Sequence, residues 1–547
     1  MDAKEIKRRY QMLASERTSV EGTWELIEKF VAPYRGEFFQ ENSTEHSIDW
    51  KLRELFDSTA IDASNVLASS LHGSLTSPAY KWFSLRFRDD ELNLNSEAKQ
   101  WLENTENRMF HALQQSNFNL EANETYLDLV HFGTSVIVEE VEGDELSGDV
   151  ELVFKTVPTK ECYYEMDSKS AVHALYRKFS YTAVQLVDKF GEDGVPNEIL
   201  EKAKMPKEGE KFDVIHAIYN RKLGEDVDVS KVLSKENRPY GSKYILVEMC
   251  EELGKEGGYY EMPAFVPRWR STSDSKFGNS PSMVALPDIL TLNELQNMLL
   301  RAVEKVVDPA TLTTERGLLS DLDLEPGGLT VVRDIKNLVP FESRARFDVS
   351  ELKVDRLQDA IRKAFFTDQL ELKNSPAMTA TEVSVRYELM QRLLGPTLGR
   401  LENDFLSPLI TRTFNIMLRS NMLQELPPML AELGAELDIR YTGPLARAQR
   451  TDQAAAIERW MNMLGGMSQV TPDILDVIDT DVIGRDMGDI LNVPAKYMRS
   501  DEAVKTMRDA RQKQQAEMQA AEMAKQQGEA AQAVGKGQAA MGGDANA

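Results

Sequence analysis

The sequence predicts an α+β fold that is mainly α, and three observations carry this prediction. The chain has 547 residues, of which 42% are hydrophobic, and this is enough to bury a sizeable core. Apolar residues recur at three- and four-residue spacing over most of the chain, which is typical of amphipathic helices. Between about residues 132 and 270 the apolar period changes to two, which predicts a mainly antiparallel sheet.

The first 75 residues predict two helices. In the first helix Trp24, Ile27 and Phe30 share one face, until the motif APYRG ends the pattern. A second helix is expected from about residue 53, and its small side chains let another element pack closely against it. The residues of its packing face are Ala60, Ala63, Leu67 and Leu71. Two further helices are expected between residues 96 and 131.

The sheet is predicted from five segments with alternating apolar residues. They are TSVIVEEV, DVELVFKTV, HALYRKFSY, DVIHAIYNRK and SKYILVEMC. A short helical segment, TAVQLVDKFGED, interrupts them, and the connections are acidic and contain glycine. These connections are therefore expected to be solvated.

A long amphipathic rod follows a loop of small residues and proline at residues 276–309. Pro287 suits a first helical turn, where its missing N–H costs nothing. About 25 residues at a rise of about 1.5 Å predict a helix of about 37 Å. Asp308 and Pro309 end it. Its apolar stripe consists of Ile289, Leu292, Leu295, Leu299, Val303 and Val306.

A second rod is predicted after an insert of roughly forty residues that contains the turn EPGG and the strand-like segments LTVVRDI and LVPFE. Ser350 is the expected N-cap of this rod. Its apolar face consists of Val354, Leu357, Ile361 and Phe365.

The strongest helix start in the chain is the capping box at residues 379–382, with Met378 and Val383 placed as a hydrophobic staple. The helix that follows contains Gly395 and Pro396, and the proline predicts a kink because it removes one backbone hydrogen bond. The segment LDIRYTGPLARAQR is strand-like, and helices continue to about residue 500. The last twenty residues are expected to be disordered.

The sequence contains no recognisable catalytic, cofactor or metal site. A phosphate-binding Walker loop is absent, because Gly254-Lys255 is followed by Glu256. The six histidines lack ligand spacing, and the aspartates between 476 and 489 do not follow a calcium loop. Cys162 and Cys250 predict neither a disulfide framework nor a zinc site. We expect a non-enzymatic protein without cofactors.

The charge balance and hydropathy exclude other classes. A net charge of -25 argues against a protein that wraps nucleic acid through a broad basic face. No leader and no apolar stretch long enough for a bilayer are seen, so no membrane partner is expected.

Five arginines on the bent helix do not keep one face and favour inter-subunit salt bridges over a DNA-binding stripe. They are Arg386, Arg392, Arg400, Arg412 and Arg419.

The order of these elements resembles the portal, or head-to-tail connector, of short-tailed bacteriophages. The resemblance covers about residues 8 to 510, and the loop GNSPS departs from it by being less glycine-rich. The segments that carry the resemblance are DSTAIDASNVLASSLHGSLTSPAYKWFSL, VPRWR, NSPSMVALPDILTLNELQNML, MTATEV and YTGPLARAQR.

This resemblance implies a portal-type fold with wing, stem, clip and crown or barrel regions that assembles into a ring. The loop before the first rod would hinge the stem to the wing. The implied regions are the wing at 1–277, the first stem helix at 278–308, the clip at 309–349, the second stem helix at 350–366, the tunnel loop at 367–379, the long kinked helix at 380–425, the wing return and crown helices at 426–500, and a C-terminal helical barrel with a disordered tail at 501–547.

The resemblance also implies a function. A ring, usually of twelve subunits, would stand at one capsid vertex and conduct double-stranded DNA during packaging and ejection. Its partners would be the terminase large subunit, tail adaptor and tail tube proteins, and the major capsid and scaffolding proteins. Its place would be the head-tail junction of the virion, and the host cytoplasm during assembly. An acidic channel wall would let DNA slide, because it forms no array of phosphate contacts.

Three groups of residues follow from this analogy. The rods cannot bury their stripes alone, so their apolar faces are expected to pack between neighbouring subunits. On the tunnel loop Lys373, Asn374 and Ser375 would contact phosphates weakly, the alternative for Lys373 being an ordinary exposed lysine. The stem-packing residues are Leu292, Leu295, Leu299, Val303, Leu357, Ile361 and Phe365. Clip docking residues are Arg333, Lys336, Phe341, Arg344 and Arg346, the alternative being a clip held by subunit contacts alone.

Two other functions remain as alternatives. One is a subunit of a nucleic-acid-translocating ring enzyme, which the absent Walker lysine disfavours. The other is a coiled-coil scaffold, suggested by the Ala- and Gln-rich C-terminus and disfavoured by the sheet in the first half of the chain.

Overall fold

The structure, a computed structural model, forms two compact units that are described separately. The first unit consists of Met1–Ser84, Asn107–Leu423 and Tyr441–Pro444, and the second of Leu85–Glu106, Gln424–Arg440 and Leu445–Ala547. Within them the structure describes residues 1–35, 52–79, 81–87, 96–144, 149–207, 209–221, 233–271, 275–307, 311–313, 318–320, 331–334, 336, 338–340, 347–370, 394–425, 427, 444–468, 480–490, 504–521, 523 and 525.

The first unit begins with a long helix, α1, Ala3–Phe30. Asp2 caps it, because its Oδ1 atom accepts a hydrogen bond from Glu5 N at 2.8 Å. Trp24 and Ile27 are buried, as the pattern predicted. The indole of Trp24 donates to the carbonyl of Phe132 at 3.1 Å, which fixes the end of α1 against a later helix.

Three helices follow: α2, Thr59–Leu75, α3, Ser96–Gln115, and α4, Phe118–Phe132. The predicted small-residue face of α2 is buried and the helix packs against α4, so that prediction is confirmed. The helix begins later than predicted, at Thr59, where Asp57 Oδ1 accepts a hydrogen bond from Thr59 N at 2.9 Å.

Two antiparallel sheets follow α4. Their strands are β1, Val136–Asp144, β2, Asp149–Val157, β3, Cys162–Met166, β4, Val172–Tyr181, β5, Phe212–Asn220, β6, Tyr240–Leu246, β7, Glu251–Tyr259, and β8, Ala264–Phe265. The five-stranded sheet has the order β3-β4-β5-β6-β7, and the three-stranded sheet has the order β2-β1-β8. The predicted α+β class with a mainly antiparallel sheet is confirmed.

Alternation along β5 places the five-stranded sheet between two layers. Ile215 and Ala217 pack with Ile6 and Leu13 of α1 on one face. Ile218 packs on the opposite face with valines of β1 and β2. That second face is extended by two short helices, α5, Ala183–Phe190, and α6, Asn197–Lys204. The alternating pattern is therefore read correctly from the sequence.

Three strands of these two sheets, β3, β7 and β8, and the helix α6 were not predicted from the sequence. The segment of β7 is rich in Glu and Gly and was interpreted as a solvated connection. It is a strand because it pairs with β6, and Gly254 has a φ of 67°, which only glycine adopts easily. The predicted strand through residue 250 ends at Leu246, and the residues after it form a turn.

The first rod is α7, Pro281–Val307. It begins earlier than predicted, so Pro287 lies inside the helix and not in its first turn. The N-cap is Ser280, whose hydroxyl accepts a hydrogen bond from Met283 N at 3.0 Å, and Pro281 occupies the first helical position. The sequence Ser280-Pro281 is itself a helix-start signal, and it would have predicted the observed start.

Two short strands and the second rod come next. Strand β9, Thr311–Thr313, pairs with β10, Leu338–Pro340, in an antiparallel ribbon. The predicted strand in LVPFE is therefore present, whereas β9 was not predicted, and the described part of LTVVRDI forms a single bridge, from Val332 to Leu318. The second rod is α8, Phe347–Ala364. Ser350 lies within its first turn and is not the N-cap, because the helix starts earlier than predicted. The two rods pack against each other within the chain.

A four-residue helix, α9, Thr367–Leu370, follows α8. The first residues of the predicted tunnel loop are therefore helical. The chain is also helical at 394–401, continues through a π-helical turn at Glu402–Leu406, and forms α10, Ser407–Arg419. The predicted long helix is present from residue 394, and its end at Arg419 precedes the predicted end. Residues 379–382, the predicted capping box, lie outside the described residues.

The second unit contains the first part of α3, up to residue 106. Its other described helices are α11, Pro444–Ser468, α12, Thr480–Ile490, and a helix at 504–521. In the segment LDIRYTGPLARAQR the strand prediction is wrong for residues 444–450, because these residues belong to α11. Residues 437–443 of that segment lie outside the described residues. The indole of Trp101 donates to the carbonyl of Gln424 at 3.1 Å. Across the described parts of both units, no helix has the length and apolarity needed to cross a bilayer.

Candidate assembly and channel site

The root of α7 is a close backbone contact between two glycines, Gly133 and Gly278. Gly133 ends α4 with a φ of 74°, a left-handed conformation that favours glycine. A Cβ atom on Gly278 would lie 1.9 Å from the carbonyl oxygen of Gly133. Only hydrogen atoms fit between these two backbones, so both positions require glycine.

Hydrogen bonds hold this contact on both sides. The N–H of Gly278 donates to Thr134 Oγ1 at 2.9 Å, and the N–H of Trp269 donates to the carbonyl of Gly133 at 2.9 Å. Ser280 Oγ donates to the carbonyl of His131 at 2.8 Å, and Ser282 Oγ donates to the carbonyl of Val130 at 2.9 Å. The serines therefore satisfy carbonyls at the C-terminal end of α4.

This root is a fixed joint. Ser280 and Ser282 are fully buried, and aromatic rings of Trp24 and Tyr164 pack edge-on against Phe277. The loop was expected to hinge the stem to the wing, and that expectation is corrected. Its small residues are needed because two backbones approach closely here. Flexible loops are also rich in glycine and serine, so the composition alone did not distinguish a joint from a hinge.

A clamp of side-chain hydrogen bonds ties both rods to the segment before α2. Asn293 of α7 accepts a hydrogen bond from Phe56 N at 2.7 Å and donates to the carbonyl of Glu54 at 2.9 Å. Gln358 of α8 donates to Asp57 Oδ2 at 2.9 Å. Neither Asn293 nor Gln358 was predicted as a functional residue from the sequence. Asn293 is a polar side chain among apolar neighbours on α7, and this was the available signal.

The chain itself covers the N-terminal half of α7 and the C-terminal part of α8. Leu292 is 1% exposed, and Ile361 and Phe365 are fully buried. The expectation that Leu292, Ile361 and Phe365 pack between neighbouring subunits is therefore corrected, because elements of the same chain already cover them. Leu295, Leu299 and Leu357 are half-buried.

The C-terminal half of α7, here called upper α7, has an apolar face that no other described residue covers. At 3.6 residues per turn Leu300, Val303 and Val307 continue the line of the buried Ile289 and Leu292. They are 50%, 46% and 78% exposed, respectively. Val306, beside them, is 51% exposed. A contiguous apolar face of this kind is typical of an interaction surface.

A buried charge network joins β1 to α10. Glu139 is fully buried, and its Oε1 atom accepts a hydrogen bond from the Thr413 hydroxyl at 2.8 Å. Arg412, 4% exposed, lies 3.5 Å from Glu139 Oε2 and 3.3 Å from Glu261 Oε2. Arg419 forms a bidentate ion pair with Glu261 at 2.6 and 3.0 Å. Burial raises the pKa of Glu139 to about 7, and the neighbouring Arg412 opposes that rise.

A second ion pair fixes the π-helical turn. Arg268 donates to Asp404 Oδ2 at 3.1 Å from Nε and 2.9 Å from Nη2. Burial raises the pKa of Asp404, and Arg268 opposes that rise. Arg400 donates to the hydroxyl of Ser271. The inter-subunit role expected for Arg400, Arg412 and Arg419 is therefore corrected, because their partners lie in the same chain. Arg386 and Arg392 lie outside the described residues.

The remaining predicted site residues are placed only in part. Arg333 and Lys336 are exposed beside the strands β9 and β10, whereas Phe341, Arg344 and Arg346 lie outside the described residues. Gly395 and Pro396 lie in the helical segment at 394–401, and the residues before it that would show a kink are not described. The tunnel-loop residues Lys373, Asn374 and Ser375 lie outside the described residues as well.

The described part of the chain contains no group of three His, Cys, Asp or Glu side chains that could hold a metal ion. The two histidines whose pKa is lowered most, His131 and His216, have packing roles. His131 bonds to Ser64 Oγ at 3.0 Å, and burial lowers the pKa of His131 to about 3. His216 stacks on Tyr244 at 4.0 Å.

Comparison with known proteins gives consistent results. A family model described as the bacteriophage head to tail connecting protein matches residues 3–498. The chain is 29% identical over 539 residues to a probable portal protein of Bordetella phage BPP-1. The aligned region covers 96% of this chain and 94% of that protein. It is 28% identical over 547 residues to the portal protein of Salmonella phage epsilon15, with 97% of this chain and 92% of that protein covered.

Proposed function

Because the chain belongs to the bacteriophage head-to-tail connecting protein family and functions as a phage portal, we propose that it assembles into a closed ring at one capsid vertex. The ring, of about twelve subunits by analogy with the family, conducts double-stranded DNA during packaging and ejection. It joins the capsid to the tail at the head-tail junction of the virion, and it assembles in the host cytoplasm.

The exposed apolar face of upper α7 is the observation that supports this proposal. Leu300, Val303, Val306 and Val307 continue a buried face into solvent. Burying one such side chain contributes about 1.5–3 kcal/mol, and a ring repeats that contribution at every interface. A closed heterologous ring covers the face in every subunit and leaves no free copy of it.

The double variant Val303→Asp/Val307→Asp tests ring assembly. We expect at least a tenfold loss of ring particles with unchanged subunit folding, because two buried carboxylates per interface would each lose several kcal/mol of solvation. Mass photometry measures the rings, and circular dichroism measures the fold. Val284→Asp is the matched control, since Val284 is 62% exposed on the same helix but lies near its root. Rings that form normally in the double variant would contradict the proposal.

The same proposal assigns partners to the two ends of the stem. The terminase motor, and later the tail adaptor and tail tube, would dock on the clip around Arg333, Lys336, Phe341, Arg344 and Arg346. Capsid and scaffolding proteins would contact the wing. The chain itself would be non-enzymatic, and ATP hydrolysis by the purified ring would instead favour the translocating enzyme.

On the tunnel loop we propose that Lys373, with Asn374 and Ser375, makes weak phosphate contacts with passing DNA. Lys373→Ala is expected to reduce DNA retention in filled heads several-fold while ring assembly is unchanged, because one isolated phosphate contact is removed from each subunit. Nuclease protection of packaged DNA measures this. Unchanged packaging and retention would show that Lys373 is an ordinary exposed lysine.

A further inference from the structure

The second rod, α8, carries opposite charges on its two exposed flanks. Ile361 and Leu357 mark the face that packs against the rest of the chain. At about 100° per residue, Lys353, Arg356 and Lys363 lie about 80–160° to one side of Ile361. Asp355 and Asp359 lie about 120–160° to the other side. All five side chains are exposed. The exposed Arg362 also lies on the side of Asp355 and Asp359, at about 100°, so that flank keeps a smaller net negative charge.

Little in the chain neutralises these charges. Among the described residues, the recorded ion pair on this helix joins Arg362 to Asp359 at 3.5 Å, with 45% and 66% of the two side chains exposed. Such an exposed pair contributes little to stability, because solvent screens it. No described acidic group pairs with Lys353, Arg356 or Lys363, and no described basic group pairs with Asp355.

We propose that the basic flank of α8, Lys353, Arg356 and Lys363, docks against the acidic flank of α8, Asp355 and Asp359, in the adjacent copy of this chain. The inference rests on the proposed ring. In a closed ring each subunit presents one side to one neighbour and the opposite side to the other. A rod whose inner face is covered by its own chain meets its neighbours through its flanks, and these flanks have complementary charge.

The arrangement determines the direction of assembly. Complementary flanks attract head to tail around the ring, and like flanks repel, so a reversed subunit is rejected. The basic flank extends over about 15 Å of helix, the distance covered by ten residues at about 1.5 Å each. The contacts are exposed enough to be screened by salt, which gives the interface a measurable ionic-strength dependence.

A charge-swap series on the full-length protein tests this inference. Lys353→Glu/Arg356→Glu and, separately, Asp355→Lys/Asp359→Lys should each lower the fraction of ring particles at least fivefold in about 0.15 M salt, where the Debye length is about 8 Å. The quadruple variant that combines all four changes restores opposite charges with reversed signs. It should recover most of the lost ring fraction in mass photometry.

The control is Arg301→Glu/Lys305→Glu, which makes the same change in charge on the polar side of α7. Assembly should be unaffected. An equal loss in this control would mean that general acidity, and not the α8 flanks, sets assembly, and would overturn the inference. So would failure of the quadruple variant to recover rings.

Two further outcomes separate this inference from the function on which it rests. A wild-type chain that stays monomeric would overturn the proposed ring and the inference with it. Rings formed equally by wild type and by both single-flank variants would overturn the inference alone. If Lys353→Glu/Arg356→Glu formed normal rings but lost packaged DNA, the basic flank would face phosphates in the channel, and the inference would again be wrong.

Discussion

Gly278→Ala is expected to destabilise the first unit by about 3–5 kcal/mol, since overpacking of a filled site costs about 1–3 kcal/mol and broken hydrogen bonds add to it. The new Cβ atom would lie 1.9 Å from the Gly133 carbonyl oxygen and 3.0 Å from Trp269 N. Both neighbours are backbone atoms, so neither moves away without separating α4 from the root of α7. The separation would break the bonds from Gly278 N to Thr134 and from Trp269 N to Gly133.

Urea denaturation followed by tryptophan fluorescence measures this loss, with the soluble yield as a second readout if the variant does not fold. Gly22→Ala is the matched control, because a Cβ on Gly22 of α1 meets nothing within 4 Å. It should gain up to about 1 kcal/mol from helix propensity. A Gly278→Ala protein with wild-type stability would contradict the fixed joint described for the stem root.

Arg412→Met is expected to cost about 3–5 kcal/mol, the typical loss when one partner of a buried ion pair is removed. The change would leave the carboxyl of Glu139, which is fully buried, without its cation. Glu261 would keep its bidentate partner Arg419. The urea midpoint at equal protein concentration measures the effect.

The cost should depend on pH in a defined direction. Burial raises the pKa of Glu139 to about 7, above the value of 4.5 for an exposed glutamate. The folded chain therefore binds a proton more tightly than the unfolded chain, and this stabilisation is present below about pH 4.5 and lost as pH rises through about 7. Without Arg412 the ionised form is still less favourable, so Arg412→Met should be more destabilising at pH 8 than at pH 6.

Glu139→Gln in the Arg412→Met background should recover part of the stability at pH 8, because the amide cannot ionise and still accepts from Thr413. The matched control is Arg419→Met on the same helix, whose pair with Glu261 is partly exposed, and a loss of about 1 kcal/mol is expected. Equal losses for Arg412→Met and Arg419→Met, with no pH dependence, would contradict the buried network.

Local sequence patterns predicted much of the fold, because strands and helices with one buried face show their period directly. The alternation in β5 and the spacing of Ala60, Ala63 and Leu67 in α2 are examples. Boundaries were less certain where a second signal competed. The start of α7 was predicted at Pro287, although Ser280-Pro281 lies about two turns earlier.

The joint and the clamp could not be predicted because they depend on long-range contacts. Gly133 and Gly278 are far apart in sequence, and nothing in either local segment shows that the two backbones touch. The same holds for Asn293 with residues 54–56. Amphipathic spacing predicted that Leu292 and Ile361 are buried, but not what covers them, and the cover proved to be the same chain. Opposite charges on the flanks of α8 became meaningful only once its buried face was known.

The most direct test of a ring-forming portal is the mass and axial view of the purified full-length chain. Mass photometry combined with negative-stain images should show a closed ring with a central opening and a mass close to twelve subunits. A single monomeric species at concentrations in the micromolar range, or a compact particle without an opening, would contradict the account.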